Sequence, residues 1–207
     1  ESKYEKIQPV GPVKGASRIE FAIPNSGPDL IDLKNSELEM KFRIKKIDGT
    51  NIDGSDKVRI INYIDATMWE MIPLTLNGEL VTERTLNQAF RAMCEVLTGY
   101  GRDAMESWLE AGLFYKDTTG QMDATDPTAA NSNAGLATRF EYCKESKLVA
   151  TRARIHSGMF AQERPLMNFI AAHLTLQKNK DEYLLMSAQK NVYKILLEEV
   201  ILVLRKI

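Results

Sequence analysis

The sequence predicts a mainly β fold in which one large domain is interrupted by a helical insertion. Apolar and charged residues alternate strictly from Glu37 to Lys45, and a two-residue period is typical of a strand with one face in the core and one in solvent. An Asn77-Gly78 pair separates two apolar alternating segments, and these residues best tolerate the positive φ angles of a type I′ hairpin turn. A helical period follows the hairpin over about 85–112.

Composition and charge are those of ordinary globular material. The 207 residues are 44% hydrophobic and 27% charged, and the formal net charge is -1, so the chain lacks the basic excess that general nucleic-acid binding needs. No apolar segment reaches the ~20 residues required to cross a bilayer. We therefore expect neither a membrane nor a specific nucleic acid as a partner.

The N-terminal part of the domain is predicted from turn residues and alternation. Residues 1–17 contain two prolines and two glycines without a sustained period, which indicates an extended N-terminal arm. Residues 18–207 are predicted to form a single domain, since all-β domains often exceed the usual domain size. Arg18 to Ile23 alternates and predicts a strand, which the turn-forming segment Pro24 to Pro28 ends. A strand from Trp69 to Leu76 leads into the hairpin turn.

The helical insertion is predicted to contain two consecutive helices. The first opens on Thr85-Leu86-Asn87-Gln88, which has the form of a capping box, and Gly99 ends it. The second begins at Arg102 and stops near Gly112. Apolar residues at three- and four-residue spacing support both helices. They are Leu86, Phe90, Met93, Leu97 and Tyr100 in the first helix and Met105, Trp108, Leu109 and Leu113 in the second.

A long loop and several strands are predicted after the insertion. The loop covers 117–135, and its Asp117, Asp123 and Asp126 lack EF-hand spacing, so solvated carboxylates are favoured over a calcium site. A short helix over 136–145 is followed by three segments with strand character. These are 148–155, 170–177 and the nearly continuous apolar segment 192–207, whose β-branched content favours a strand covered on both faces.

Few residues suggest chemistry. Phosphate loops, dinucleotide-binding glycine motifs, nucleophile elbows and HExxH are all absent from the sequence. His156 and His173 have no carboxylate or cysteine close in sequence, so packed or surface imidazoles are favoured over a base or a ligand. Cys94 and Cys143 show no zinc spacing and are expected to be free thiols. Glu198-Glu199 should direct one carboxylate to each face of its strand, where an inward one needs an arginine or a strand edge. We expect no enzyme activity, cofactor or metal.

Four motifs resemble a known family through their order along the chain. They are Arg18 to Leu33, Leu74 to Val81, Tyr100-Gly101 and Leu113 to Thr118. Together they are similar to the hexon-type, double-jelly-roll major capsid proteins of Polinton (Maverick) elements and adintovirus-like viruses. The resemblance extends over about 18–207 and corresponds to the first jelly roll only. Because the chain lacks an initiator methionine and ends inside an apolar segment, we also expect it to be part of a longer protein.

The resemblance implies both a fold and a function. The fold would be an antiparallel jelly-roll β-sandwich with an inserted helical excursion. The function would be structural, with homotrimeric capsomers that build an icosahedral shell and contact copies of themselves and other capsid proteins such as a penton. The protein would belong to the virion or a virus-like particle, assembled inside the host cell, with the nucleus as one candidate site. The family has no catalytic residues to transfer.

Two other functions stay open at this point. A carbohydrate- or protein-binding jelly-roll module is one, since jelly rolls also serve as lectins, and Trp69, Tyr63 and Tyr115 are the candidate exposed aromatics. A cupin-like enzyme is the other, but it needs a histidine-rich metal set that two histidines do not supply.

The candidate region for contacts between copies covers 102–135. Trp108, Leu113, Phe114 and Tyr115 offer more apolar and aromatic surface than one helix and a loop can easily bury within their own domain. The competing interpretation is that the four side chains pack on their own sheet.

Overall fold

Two antiparallel sheets form the framework of the chain. The computed structural model describes residues 2–24, 27–82, 86–126, 129, 133–189 and 191–207. The strands are β1 (Lys3–Ile7), β2 (Arg18–Ile23), β3 (Ile31–Lys46), β4 (Arg59–Ile60), β5 (Trp69–Met71), β6 (Leu74–Leu76), β7 (Glu79–Leu80), β8 (Val149–Arg154), β9 (Ala172–Lys178), β10 (Leu185–Met186) and β11 (Tyr193–Lys206).

Helical segments lie mainly between β7 and β8. The α-helices are α1 (Ile64–Thr67), α2 (Gln88–Gly99), α3 (Arg102–Met105), α4 (Ala134–Cys143) and α5 (Asp181–Leu184), and 3₁₀ turns cover Trp108–Gly112, Lys144–Ser146 and Gly158–Ala161. Within the described ranges, no helix is long and apolar enough to span a bilayer.

The strand order is that of a jelly roll. One sheet has the order β1-β11-β3-β8 and the other β2-β9-β6-β7, with β5 also paired to β9. The long strands therefore alternate between the two sheets along the chain, and the inner faces of both sheets contribute to one hydrophobic core. This arrangement is the jelly-roll sandwich. It confirms the predicted fold class, an antiparallel jelly roll with an inserted helical excursion.

The alternating residues of β3 place one face of the strand in the core and the other in solvent, as predicted. Leu38, Met40, Phe42 and Ile44 are buried, and the charged residues between them lie on the outer face of the sheet. There they form ion pairs with neighbouring strands, namely Lys6–Glu39, Lys41–Glu199, Arg43–Glu198, Arg152–Glu37 and Arg152–Glu39. Each such surface pair stabilises the fold by about 0–1 kcal/mol, so the buried apolar face dominates.

The hairpin prediction is confirmed in its turn and corrected in its strand. Asn77 and Gly78 have φ angles of 50° and 86°, as a type I′ turn requires, and Leu76 pairs with Glu79 across it. The predicted single strand before the turn is divided into β5 and β6 at Ile72-Pro73. Proline removes a backbone donor, which interrupts a strand ladder.

The predicted N-terminal arm contributes a strand to the sandwich. Lys3–Ile7 forms β1 and pairs antiparallel with the last residues of β11, from Lys3 opposite Lys206 to Ile7 opposite Leu202. Five mostly polar residues are too few to show an apolar period. Because its hydrogen bonds come from a partner almost two hundred positions away, this strand could not be found from local sequence.

A β-bulge in β11 corrects the expectation for Glu198-Glu199. The register with β3 shifts between Leu197 and Glu199, which makes Glu198 the extra residue of a bulge. Both carboxylates therefore lie on the outer face, where Glu198 Oε1 is 3.2 Å from Nε of Arg43. The bulge also restores the alternation, so that Val200 returns to the core.

The helical insertion lies where predicted, but α2 has its apolar stripe on the outside. An apolar stripe ordinarily faces the core, yet Phe90 and Leu97 are 70% and 58% exposed and Leu86 is also exposed. The face that α2 buries consists of Gln88, Ala89, Ala92 and Val96. The two alanines let the helix lie close to its neighbours, and the larger apolar side chains of α2 face outward.

Two sequence predictions fall partly outside the described residues. The capping box depends on Thr85, which is not among them; Asn87, the residue before α2, makes no side-chain cap hydrogen bond. The turn at Pro24 to Pro28 includes Asn25-Ser26, which also lies outside. The predicted short helix after the long loop and the strands around 148–155, 170–177 and 192–207 are confirmed as α4, β8, β9 and β11.

Candidate functional site

The four residues predicted to form a contact surface between copies occupy two different environments. Leu113 and Phe114 are 4% and 2% exposed, and the ring of Phe114 packs edge-on against Tyr63 with centroids 6.1 Å apart. Trp108 and Tyr115 are half-buried. Leu113 and Phe114 therefore fill the core of their own domain, and only Trp108 and Tyr115 offer side-chain surface to a second copy.

Both half-buried aromatic residues are held by neighbouring side chains. Trp108 packs edge-on against Tyr100 at 5.0 Å, and the guanidinium of Arg154 lies 4.9 Å from the centre of its ring. Tyr115 stacks on Tyr142, with centroids 6.0 Å apart, and donates a 3.1 Å hydrogen bond to its hydroxyl oxygen. Such contacts fix the rings in place and lower the entropic cost of binding a partner.

Asp117 closes the long loop and is not a solvated carboxylate. Its Oδ1 accepts hydrogen bonds from Arg139 Nη2 at 3.0 Å and from Asn133 Nδ2 at 2.8 Å, and its Oδ2 accepts one from Asn62 Nδ2 at 3.3 Å. Asn133 in turn accepts a hydrogen bond from the amide of Thr118. The two ends of the predicted loop are therefore joined by side chains, and the expectation of a solvated carboxylate is wrong for Asp117.

Arg139 connects this loop to the sandwich. Its side chain is 1% exposed, and besides Asp117 it donates hydrogen bonds to the carbonyl oxygens of Ile60 and Tyr115. Burial lowers the pKa of Arg139, and the neighbouring carboxylate of Asp117 opposes this effect. The carboxylate of Asp117 thus compensates the charge of the buried guanidinium, and the two carbonyl oxygens accept hydrogen bonds from its N–H groups.

Arg59 is a buried arginine without such compensation. It is 0% exposed, and none of its three side-chain nitrogens has a hydrogen-bond partner in the part of the chain that the structure describes. Burial lowers its pKa to about 10, and the positive charge of Arg139 acts in the same direction, while Asp126 acts against it. A buried charge that is only partly offset is costly, so Arg59 is expected to lower the stability of the fold.

His156 joins the helical insertion to the end of β8. Its Nε2 is 2.9 Å from the hydroxyl of Tyr63 and its Nδ1 is 3.1 Å from Oε1 of Glu95 in α2. Gln88, also in α2, donates a hydrogen bond to the backbone carbonyl of His156. The hydrogen bond from His156 lowers the pKa of Glu95. The histidine lacked a nearby carboxylate in sequence, but the fold supplies one.

Glu95, His156 and Tyr63 form a carboxylate–imidazole–hydroxyl series like that of a catalytic triad. The hydroxyl group differs from a catalytic nucleophile in its access to a substrate. Tyr63 is completely buried, and burial raises its pKa well above the ordinary value. A nucleophile must reach its substrate, and this hydroxyl does not reach solvent. The arrangement therefore fixes α2 on the sheet.

Asp65 in α1 is a second buried acid. Its Oδ2 has no hydrogen-bond partner among the described residues, and burial raises its pKa to about 7. Its neutral form is therefore favoured in the folded protein at pH values below about 7.

Metal-binding and sugar-binding geometries find little support in the described ranges. Within them, no group of three or more His, Cys, Asp or Glu side chains is placed to hold a metal ion. The two cysteines are free thiols, Cys94 exposed and Cys143 buried. Trp69 and Tyr63, two of the three candidate sugar-stacking aromatics, are buried in the core, which leaves Tyr115 alone.

The comparisons with known proteins rest on structure. No protein-family model and no curated protein matches the chain. A chain of the Sputnik virophage, solved by cryo-electron microscopy, has a TM-score of 0.63 and 11% identity, with 100% of this chain and 47% of that chain covered. The mavirus major capsid protein has a TM-score of 0.45 and 14% identity, with 98% and 46% covered. The fold is thus shared with a virophage chain, of which this chain spans about half the length.

Proposed function

We propose that this chain is a structural jelly-roll domain of a viral-type major capsid protein that assembles with copies of itself. The observation that carries the proposal is the jelly-roll order of the two sheets, together with the structural similarity to the Sputnik virophage chain over the whole length of this chain. The motif order that resembles capsid proteins of Polinton elements and adintovirus-like viruses supports the same function from sequence.

The surface of the domain is consistent with assembly. Phe90 and Leu97 present an apolar stripe on α2, while Trp108 and Tyr115 present two fixed aromatic rings. Exposed apolar surface of this kind is typical of protein interfaces. Jelly-roll sheets also have open edges, here β1 and β8 in one sheet and β2 and β7 in the other, which contacts between copies can cover.

The proposed assembly is a homotrimer followed by an icosahedral shell. A closed ring of three copies uses heterologous contacts, in which two different surfaces of each copy meet. The α2 stripe and the Trp108–Tyr115 region are two such surfaces. Localisation in a virion or virus-like particle, assembly inside the host cell or its nucleus and contact with a penton-type protein are further parts of this proposal.

The test is the mass of the full-length protein in solution, combined with electron microscopy of its assemblies. Trimers and shells are the expected result, and a protein that stays monomeric over a wide range of concentration and salt would contradict the proposal. Two double variants test the two candidate contact regions one at a time. The first is Phe90→Ser with Leu97→Ser, and the second is Trp108→Ser with Tyr115→Ser. A folded monomer from either variant identifies an interface.

Leu113→Ala provides the matched control for these variants. Leu113 lies in the core, so its truncation should lower the melting temperature without changing the mass of the folded protein. A loss of trimers in this control at temperatures where the domain is folded would mean that the assay reports stability and not contact.

A further inference from the structure

A cavity of about 190 Å³ lies where the start of β3, the end of β8 and α2 meet. Its lining includes Lys34, Glu95, Tyr100, Arg154, His156 and Ser157. The hydrogen-bonded His156 fixes the position of this wall, because its ring is held from two sides by Tyr63 and Glu95. The cavity is therefore bounded by side chains with restricted freedom.

The charges around this cavity are unevenly matched. Arg154 stacks on Trp108 but forms no ion pair with any residue in the described ranges, whereas Arg152, two positions earlier in β8, pairs with both Glu37 and Glu39. Glu95, the carboxylate in the lining, is already bonded to His156. Arg154 is therefore a cation of the lining that has no paired carboxylate among the described residues.

Lys34 adds a second available cation. Its Nζ is 3.2 Å from Oε1 of Glu163, whose side chain is 85% exposed. An ion pair so open to solvent contributes about 0–1 kcal/mol at most. A better-placed anion inside the cavity can therefore replace Glu163 at little cost.

The size of the cavity limits what it can hold. Sites for drug-sized molecules usually measure roughly 300–1,000 Å³, and one water occupies about 30 Å³ of liquid. A space of about 190 Å³ accommodates one small oxyanion with a few waters and excludes a nucleotide or a sugar chain.

We propose that this cavity binds a single oxyanion, a carboxylate or a phosphate, between Arg154 and Lys34. A guanidinium presents a planar fork of donors that matches an oxyanion, and the ring of Trp108 holds that fork in place. The hydroxyl groups of Tyr100 and Ser157 are neutral donors in the same lining. The oxyanion comes either from solution or, if the proposed self-assembly holds, from an acidic side chain of a second copy.

The test uses inorganic phosphate as the probe. Phosphate binding to the full chain is measured by calorimetry and by thermal unfolding, against sodium chloride of equal ionic strength. Arg154→Gln should weaken phosphate binding roughly tenfold or more, since hydrogen bonds to charged groups are worth about 1.5–3 kcal/mol. Arg152→Gln, the control on the same strand, should leave binding unchanged. Equal binding in both variants, or no effect of phosphate beyond that of chloride, overturns the proposal.

Two further measurements complete the experiment. If Arg154→Gln does not fold, Lys34→Gln replaces it, because Lys34 is a partly exposed surface residue and its loss should also weaken phosphate binding. Sedimentation with increasing phosphate distinguishes the sources: weaker self-association indicates an acidic side chain of a second copy, and unchanged association indicates an oxyanion from solution. If the protein never self-associates, the proposed function is contradicted. The calorimetric measurement of phosphate binding tests the cavity proposal independently of that result.

Discussion

Replacing Arg59 with methionine should stabilise the protein, which is unusual for a change at a fully buried position. The guanidinium of Arg59 has no hydrogen-bond partner among the described residues, so within them the substitution removes a buried charge without breaking a hydrogen bond. Methionine has a similar length and a flexible apolar side chain that fills irregular space. Exchanging buried charge for apolar side chains of similar volume is often neutral or stabilising by about 1–4 kcal/mol.

The lowered pKa of Arg59 gives a free-energy cost of similar size for burying its charge. Burial lowers the pKa of Arg59 from 12.5 to about 10, and at about 1.4 kcal/mol per pH unit this difference corresponds to about 3 kcal/mol against the charged form in the folded state. In a domain of this size, each kcal/mol changes the melting temperature by about 2–4 °C. We therefore expect Arg59→Met to melt about 6–12 °C higher.

Arg139→Met is the matched control, because it is the same substitution at an equally buried arginine. Arg139 has an ion pair with Asp117 and hydrogen bonds to two backbone carbonyl oxygens. Its removal leaves Asp117 without its cation, so a loss of about 3–5 kcal/mol is expected.

The assay is reversible urea unfolding of the two variants and the wild type, followed by tryptophan fluorescence and circular dichroism. The free energy of unfolding should rise for Arg59→Met and fall for Arg139→Met. A loss of more than about 1 kcal/mol in Arg59→Met would show that Arg59 has a compensating partner and would refute the reasoning.

Three further predictions concern single sites. Gly78→Val should lower the free energy of unfolding by about 1–2 kcal/mol or more, because a β-branched residue resists the positive φ of 86°; an unchanged melting curve would contradict the role of the turn. Because burial raises the pKa of Asp65 to about 7, its stabilising contribution is fully present below pH ~4 and is lost as pH rises through 7. We expect Asp65→Asn to remove about 3 kcal/mol of pH dependence between pH 5 and 8, since the loss runs over roughly two pH units from 5 to 7 at about 1.4 kcal/mol each, and an identical pH profile in both proteins would exclude it. Limited proteolysis with mass mapping should cut first within 119–126, between the fixed ends of the loop, and a first cut inside β3 would be inconsistent with the strand order.

Local periodicity was enough to predict the elements whose stability depends on local pattern. The alternation in β3, the Asn77-Gly78 turn and the continuous apolar segment of β11 each carry their signal within a few residues. These elements, together with the resemblance in motif order, gave the fold class correctly. The helical insertion was also found, because its period differs from that of the surrounding strands.

Features that depend on distant partners could not be predicted in this way. The pairing of β1 with β11, the bulge at Glu198 and the contact between Glu95 and His156 all join segments far apart in sequence. The buried face of α2 could not be read from the apolar period, because the helix buries Ala89, Ala92 and Val96 and leaves Phe90 and Leu97 outside. Asp117 looked like a loop carboxylate because its partners Asn133 and Arg139 lie 16 and 22 positions away in sequence.

The central position of β11 has a consequence for how the domain forms during synthesis. This strand pairs with β1 on one side and with β3 on the other, and it leaves the ribosome after β1 to β10. Until then β1 has no strand partner in its sheet, and β3 has one long edge unpaired. Contacts of such large sequence separation make folding slow, and unpaired edges favour aggregation of incomplete chains. Folding of this domain therefore completes only after synthesis of its final strand, when one segment closes both gaps in the sheet.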